Sequence, residues 1–304
     1  MYSSMYPSKT ILAKAAAGLL TGFLWAHPVW GQTSSDGGAA ALQAKHAALA
    51  PQLASNEFQR PLAIESTETS NAVSGNAYAV INYPFATVAA AFKDPEKWCE
   101  VLILHLNTKH CRAEGNESPA VLQVAIGKKN RQEVKDAYTL AFDFKLGSST
   151  PDFLAAQLNA DKGPVGTNNY RINLKAVPIA GGKTFMHLQY SYGYGMAGRL
   201  AMQGYLSTLG SGKIGFTLLE RQSGGIKAPV EGMRGAVERN TMRYYLAIDA
   251  YLASLSAPPA EQLEKRLAHW FDATERYPRQ LHEIDRSSYI AMKRNEYKRL
   301  HTTP

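Results

Sequence analysis

The sequence predicts an α+β fold: an antiparallel sheet of one-sided strands, its apolar face covered by one long helix late in the chain, with further helices flanking both. Two observations carry this. Between residues 138 and 194, four stretches alternate apolar and polar residues and are joined by short turns, which argues an antiparallel meander with one covered face. Between residues 231 and 255, Met233, Val237, Asn240, Tyr244, Ile248, Tyr251 and Leu255 recur at spacings of three and four, one face of a helix of about seven turns.

Each strand declares its inner face. In 138–146 it is Tyr138, Leu140, Phe142, Phe144 and Leu146. Residues 152–160 and 169–177 repeat the pattern, the latter with Tyr170, Ile172 and Leu174 against Arg171, Asn173 and Lys175. In 184–194, Met186, Leu188, Tyr190, Tyr192 and Tyr194 share one face, and His187, Gln189 and Ser191 the other, so His187 is expected outside. Arg234, Glu238 and Asp249 lie off the stripe of the 231–255 helix, which stops at Ser256-Ala-Pro-Pro259 because proline cannot continue it.

Upstream, residues 61–68 and 75–82 read as strands joined by the polar turn 69–74. Pro84 ends the second; Val88, Ala91 and Phe92 then share a helical stripe. Asp94 can cap a new helix whose first position suits Pro95. Residues 38–54 form an Ala-rich helix with Leu42, Leu49 and Leu53 in line, kinked or interrupted at Pro51. Downstream, 260–277 (Leu263, Leu267, Trp270, Phe271) and 286–300 (Tyr289, Met292, Tyr297) are charge-dense amphipathic helices, an appended arm.

The first 31 residues differ. Lys9 and Lys14 precede an uncharged run, Ala15 to Trp25, long enough for a signal-peptide core and too short to cross a bilayer. Val29 and Gly31 place small residues three and one before a cut ahead of Gln32. The expected organisation is a signal peptide at 1–31, a linker and helix at 32–58, a main domain at 59–256 and a helical extension at 257–304, in a periplasmic or secreted protein. Cleavage leaves 31 basic residues against 25 acidic ones. With 45% hydrophobic and 19% charged residues, wholesale disorder is excluded. Lys128-Lys-Asn-Arg131 reads as a solvated loop; its alternative is a contact for anionic head groups, and so peripheral membrane contact. No aromatic residues interleave it, which argues against nucleic acid.

The stretch Ala77-Tyr-Ala-Val-Ile-Asn-Tyr-Pro-Phe-Ala-Thr-Val-Ala-Ala-Ala-Phe-Lys-Asp-Pro-Glu-Lys-Trp98 resembles the opening of the START-like, or helix-grip (SRPBCC), superfamily, which includes polyketide cyclases and lipid-transfer domains. The element order over about 60–256 is similar too. The resemblance implies a sheet wrapped around the 231–255 helix with an apolar cavity between them, taking a lipid, sterol or polyketide-like molecule. It carries no catalytic residues over by position. The signal segment and the flanking helices depart from the core pattern.

Cys99 and Cys111 are the only cysteines, and in an exported chain one disulfide is the default. Twelve steps of strand would span about 40 Å, whereas a disulfide needs Cα atoms within about 7 Å. The pairing therefore requires a helix to about Leu102, a reversal near 105–107 and a strand returning with Cys111. A zinc site of Cys99, His105, His110 and Cys111, a redox pair and two free thiols are the alternatives. Gly210-Ser-Gly-Lys-Ile-Gly215 fails the phosphate-loop pattern, with Ser207 where glycine is needed and Ile214 after the lysine, and reads as a flexible turn. No cofactor or metal is expected.

The candidate ligand-binding residues are Asn240 and Tyr244 on the helix stripe, Tyr190 and Tyr192 on the sheet, and His105. Arg239 and Arg243 flank the stripe within reach of a carboxylate. The leading expectation is a non-catalytic carrier of a hydrophobic, lipid-like molecule. One alternative is a cyclase- or hydrolase-type enzyme using the same cavity, with His105 and a tyrosine or acid as a titratable pair. The other is an interaction protein docking a partner through 260–300, for which Trp270 and Phe271 would lie exposed on one patch.

Overall fold

The computed structural model describes residues 35–208, 210–220 and 227–302. The expected signal peptide and the first residues of the linker lie outside the described residues. No helix among the described residues is long and apolar enough to cross a membrane.

Eight strands form one antiparallel sheet: β1 (Leu62–Glu68), β2 (Ala72–Ile81), β3 (Thr108–Glu114), β4 (Ala120–Ile126), β5 (Tyr138–Ser149), β6 (Leu154–Lys162), β7 (Thr167–Ile179) and β8 (Lys183–Tyr194). Their order is β1-β2-β8-β7-β6-β5-β4-β3. Register shifts between Leu146 and Ser148 and between Asn168 and Arg171 interrupt the ladders, and such bulges bend the strand that carries them. Short helices α2 (Phe85–Phe92), α4 (Met196–Ser207) and α7 (Pro278–Leu281) lie between the longer elements, and the sheet curves round the long helix α5 (Gly232–Ser254), a helix-grip arrangement. Strands β1, β2 and β8 touch α5 directly, while β3 and β4 reach it through α3 (Pro95–Leu102). The inner faces run as the alternation requires: Leu140, Phe142, Phe144, Ile172, Leu174, Met186 and Leu188 are buried in one core with Val237, Leu246, Ile248 and Leu252. Tyr138 departs from the pattern and is exposed, because it begins β5 at the rim.

Sheet and helix approach closely at Gly75. A Cβ there would sit 2.3 Å from Thr241 Oγ1 and 3.3 Å from the Val237 carbonyl. The Thr241 hydroxyl is short and already bonded to that carbonyl at 2.9 Å, so it cannot retreat. Gly75→Ala is expected to cost about 1–3 kcal/mol by overpacking, read as a lower urea midpoint; an unchanged midpoint would show that β2 and α5 can separate freely.

The expected single covered face is corrected. The helix α1 (Ser35–Ala54) lies on the outer face, where Leu42, Leu49 and Leu53 form a second core with Tyr78, Val177 and Phe185. It starts within the expected linker and runs through Pro51 without interruption. His187 is on the outer face as expected, but stacked on Tyr78 at 4.3 Å and bonded to Asn76 at 2.9 Å rather than free in solvent. Burial, and then the charges of Lys175 and Lys45, lower its pKa to about 4. In the unfolded chain it titrates near 6.5. Between these values the unfolded chain binds more protons, so stability is complete above pH 6.5 and falls as pH drops towards 4, by about 3 kcal/mol for this group. His187→Phe is expected to flatten the pH dependence of the unfolding free energy across that window; identical slopes would overturn the assignment.

Arg234, Glu238 and Asp249 lie off the apolar stripe of α5, yet not all of them reach solvent. Glu238 and Asp249 are buried, because α5 is covered all round. The Ser66 hydroxyl (2.5 Å) and the Phe216 and Thr217 amides (2.6 and 2.9 Å) donate to Glu238, which pins the segment before the strand pair β9 (Leu218–Glu220) and β10 (Lys227–Pro229) to the helix. Helix α6 (Pro259–Glu275) packs along α5, where Trp270 Nε1 donates to the Arg243 carbonyl at 3.1 Å. Trp270 and Phe271 are therefore buried, which removes the exposed patch expected of a docking arm. Helix α8 (Arg286–Thr302) seals β3: Tyr289 is fully buried and donates to the Leu104 carbonyl at 3.0 Å.

Candidate functional site

The segment carrying both cysteines builds one end of the site. Asp94 accepts from the Glu96 amide at 2.8 Å and Pro95 takes the first helical position, so α3 starts where the sequence predicts. It ends at Leu102, the chain reverses through 103–107, and β3 carries Cys111 back. Cys99 and Cys111 are joined in a disulfide with their Cα atoms 5.2 Å apart.

His105 sits at the tip of this reversal, almost wholly buried. Its Nδ1 accepts from the Asn107 amide at 3.2 Å, so the neutral ring carries its proton on Nε2. That Nε2 has no hydrogen-bond partner and is shut away from solvent. Burial first, then the charges of Arg243, Lys293 and Lys129, hold the pKa well below the usual histidine value. Asn240 opposes this slightly without making a bond of ordinary geometry to Nε2. The ring is thus oriented as a neutral donor. No carboxylate is hydrogen-bonded to it among the described residues.

From His105 an aromatic file runs across the inner sheet. Tyr244 stacks on His105 at 4.8 Å. Tyr190 follows at 5.2 Å from Tyr244, and Tyr192 at 5.8 Å from Tyr190. Tyr170, which the sequence reading left as core, stacks on Tyr192 at 5.4 Å. The structure thus gathers all five candidates, with Asn240 one turn before Tyr244 and bonded to Arg243 at 3.3 Å. Burial raises the pKa of Tyr190, Tyr192 and Tyr244, so each keeps its proton. Tyr170 donates to Thr167 at 2.9 Å and Tyr194 to the Thr69 carbonyl at 3.1 Å. The hydroxyls of Tyr190, Tyr192 and Tyr244 have no hydrogen-bond partner among the described residues.

A group that sequence reasoning missed flanks the His105 end. Glu283 accepts from Lys129 at 2.7 Å and Arg243 at 2.8 Å, with Lys213 at 3.9 Å. Lys129 is accordingly more than a solvated loop residue, and Lys213 fixes the turn at 210–215 to this cluster. These residues come from four separate segments, and no local spacing announces them. The charges of Arg243 and its neighbours hold the Glu283 carboxyl below its ordinary range against the opposing effect of burial.

Among the described residues, two hollows lie outside the grip. One of about 710 Å³ is formed by the charged loop 128–136. Another, of about 650 Å³, lies beside edge strand β1, against Phe58, Phe216 and Tyr277. Between sheet and helix the tyrosines pack ring to ring, although Tyr170, Tyr190 and Tyr244 keep 8, 7 and 8% of their surface accessible.

No protein-family profile and no curated protein matches this chain. Solved structures with a similar arrangement include norcoclaurine synthase from Thalictrum flavum, at 9% identity over 49% of this chain and 82% of that one, with a TM-score of 0.33. They also include Ara h 8.0201, at 13% identity over 63% and 99%, with a TM-score of 0.34. Human StAR-related lipid transfer protein 5 follows at 8% identity over 57% and 89%, with a TM-score of 0.31. At this level of likeness, the description of this chain rests on its own geometry: an antiparallel sheet gripping one long helix, with an untethered tyrosine file between them.

Proposed function

We propose that the protein binds a hydrophobic small molecule between the sheet and α5, along the file from His105 to Tyr192, as a carrier in an exported compartment. The observation that carries this reading is the set of uncommitted donors in an apolar setting. Buried polar groups are ordinarily bonded, and leaving one unmade costs about 1–3 kcal/mol. Here His105 Nε2 is such a donor, and in the same run of rings the hydroxyls of Tyr190, Tyr192 and Tyr244 are bonded to no other side chain or backbone group among the described residues. Ligand sites combine apolar lining with a few convergent polar groups of this sort. Because no hydrogen bond tethers the three hydroxyls, their rings can swing apart to admit a guest, whose own polar atoms then satisfy them. The disulfide supports an oxidising compartment.

Native mass spectrometry tests both parts. The full chain, expressed in a Gram-negative host and recovered from the periplasm, is expected to have lost residues 1–31 and to retain a small molecule released on denaturation. Bare protein that also fails to take up added hydrophobic compounds would overturn the binding reading, and a chain with residues 1–31 intact would overturn the export.

A further inference from the structure

A third, smaller hollow, of about 310 Å³, opens where the loop before β1, the end of β2 and α5 meet. The loop is tightly built. The Asn56 side-chain amide donates to the Gln52 and Arg60 carbonyls at 2.7 and 2.9 Å, and its oxygen accepts from the Phe58 amide at 2.9 Å. Gln59 is held at φ 54°, in the left-handed region, which is uncommon for residues other than glycine. This construction lays Arg60 over the Tyr245 ring at 4.8 Å and brings its Nη2 to Asp249 Oδ2 at 2.8 Å. His269 Nε2 lies 3.4 Å from the same oxygen. Burial opposes ionisation, but the His269 hydrogen bond and the Arg60 charge hold the Asp249 carboxyl below its ordinary range. Asp249 Oδ1 is bonded to no side chain or backbone group among the described residues. Of the five N–H groups of an arginine, Arg60 likewise uses only Nη2. Neither the spare oxygen nor the spare nitrogens are sealed away. The Tyr83 hydroxyl is also uncommitted among the described residues, while the Tyr83 carbonyl is fixed by the Thr184 hydroxyl at 2.7 Å. Among the described residues, Arg60 and Asp249 are the only charged ones lining this hollow, and Pro61 and Val80 add an apolar wall.

We propose that this hollow binds a small zwitterion of the α-amino-acid type, its ammonium donating to Asp249 Oδ1 and its carboxylate accepting from Arg60 and the Tyr83 hydroxyl. A guanidinium and a carboxylate side by side, each with unused valences on one space, match a guest that carries both charges a few bonds apart. A cation alone satisfies Asp249 and is repelled by Arg60; an anion alone does the reverse. The volume admits a guest of amino-acid size and lies at the lower limit of small-molecule sites. Charge-assisted hydrogen bonds are about twice as strong as neutral ones, so both ends of the guest contribute to its selection, and the wall of Pro61 and Val80 favours an apolar side chain. The left-handed Gln59 fits this reading, because residues held in sparsely populated backbone regions cluster at ligand sites. The site shares no residue with the tyrosine file and stands independently of the guest proposed there.

Titration calorimetry of the purified protein at neutral pH with L-leucine, L-leucinamide and N-acetyl-L-leucine compares a zwitterion with its cationic and anionic counterparts. The side chain is constant, so any difference belongs to the charged ends. Leucine is expected to bind about tenfold or more tighter than either analogue. Arg60→Met keeps an aliphatic stem over Tyr245 and removes the guanidinium; it is expected to bring leucine down to the level of leucinamide. Tyr83→Phe removes a hydroxyl that no other protein group uses, so the fold is kept, and leucine is expected to weaken several-fold. Should Arg60→Met fail to fold, the three compounds and Tyr83→Phe decide alone. Leucine binding no tighter than its analogues, no binding by any of the three at millimolar concentration, or a leucine affinity that the substitutions leave unchanged would each overturn the assignment.

Discussion

Glu296→Ala is expected to destabilise the protein by about 3–5 kcal/mol, the usual cost of removing one partner from a buried charge network. Glu296 lies between two buried ammonium groups, accepting from Lys109 at 3.1 Å and from Lys293 at 2.7 Å. Neither lysine is appreciably exposed. Each also holds backbone: Lys109 donates to the Leu106 and Asn130 carbonyls at 3.0 and 2.9 Å, and Lys293 to those of His105 and Thr108 at 2.6 and 2.9 Å. Deleting the carboxylate leaves two buried cations with dipoles alone for company. Replacing all three residues by methionine removes the charges but takes a donor from each of four carbonyls, of which only that of His105 is seen to keep another, the Thr108 amide at 3.0 Å, so that variant is not expected to regain full stability.

A pH signature separates this from simple loss of packing. Burial already brings Lys293 down to about 8, against the upward pull of Glu296. Without Glu296 its pKa falls further, whereas the unfolded chain keeps its proton to about 10.4. The unfolded state then binds more protons, and stability rises with pH. Glu296→Ala is expected to recover part of its deficit between pH 7 and pH 9 in urea melts. A deficit under 1 kcal/mol, or one that is constant with pH, would mean that the triad is not the clamp between α8 and β3.

Removing the Cys99–Cys111 disulfide by a double alanine substitution is expected to cost about 3 kcal/mol, from the entropy returned to the unfolded chain by opening a loop of this length. The bond also ties α3 to β3 on either side of the reversal that carries His105. Ligand affinity is therefore expected to fall with stability, since the imidazole loses one of the supports of its loop. Denatured, unreduced protein should take up no iodoacetamide. Labelling of both thiols, or an unfolding midpoint indifferent to reductant, would rule the bond out as a stabiliser.

Much of the site was legible because strand alternation is strict. Tyr190 and Tyr192 had to share a face with Leu188, and Asn240 and Tyr244 had to share a stripe with Val237 and Ile248, whatever the neighbours proved to be. The reversal around His105 followed from chain length and the reach of a disulfide. The cation cluster was not legible in the same way. Arg243, Lys129, Lys213 and Glu283 are scattered over more than 150 positions of sequence, and each alone looks like a solvated surface charge. The burial of Trp270 and Phe271 was missed for the opposite reason: an amphipathic helix shows that it has an apolar face, but not which surface receives it.

By itself, the sequence determined the elements that local periodicity controls: the one-sided strands, the long helix, and the capped turn that lets two cysteines meet. These depend on side-chain direction along a single segment, which the backbone geometry fixes. Only the tertiary structure decided which second surfaces were covered and which charges met. Those outcomes depend on how distant segments pack, so α1 closed the outer face, α6 and α8 enclosed the far side of α5, and Glu283 and Glu296 each collected cations from separate parts of the chain.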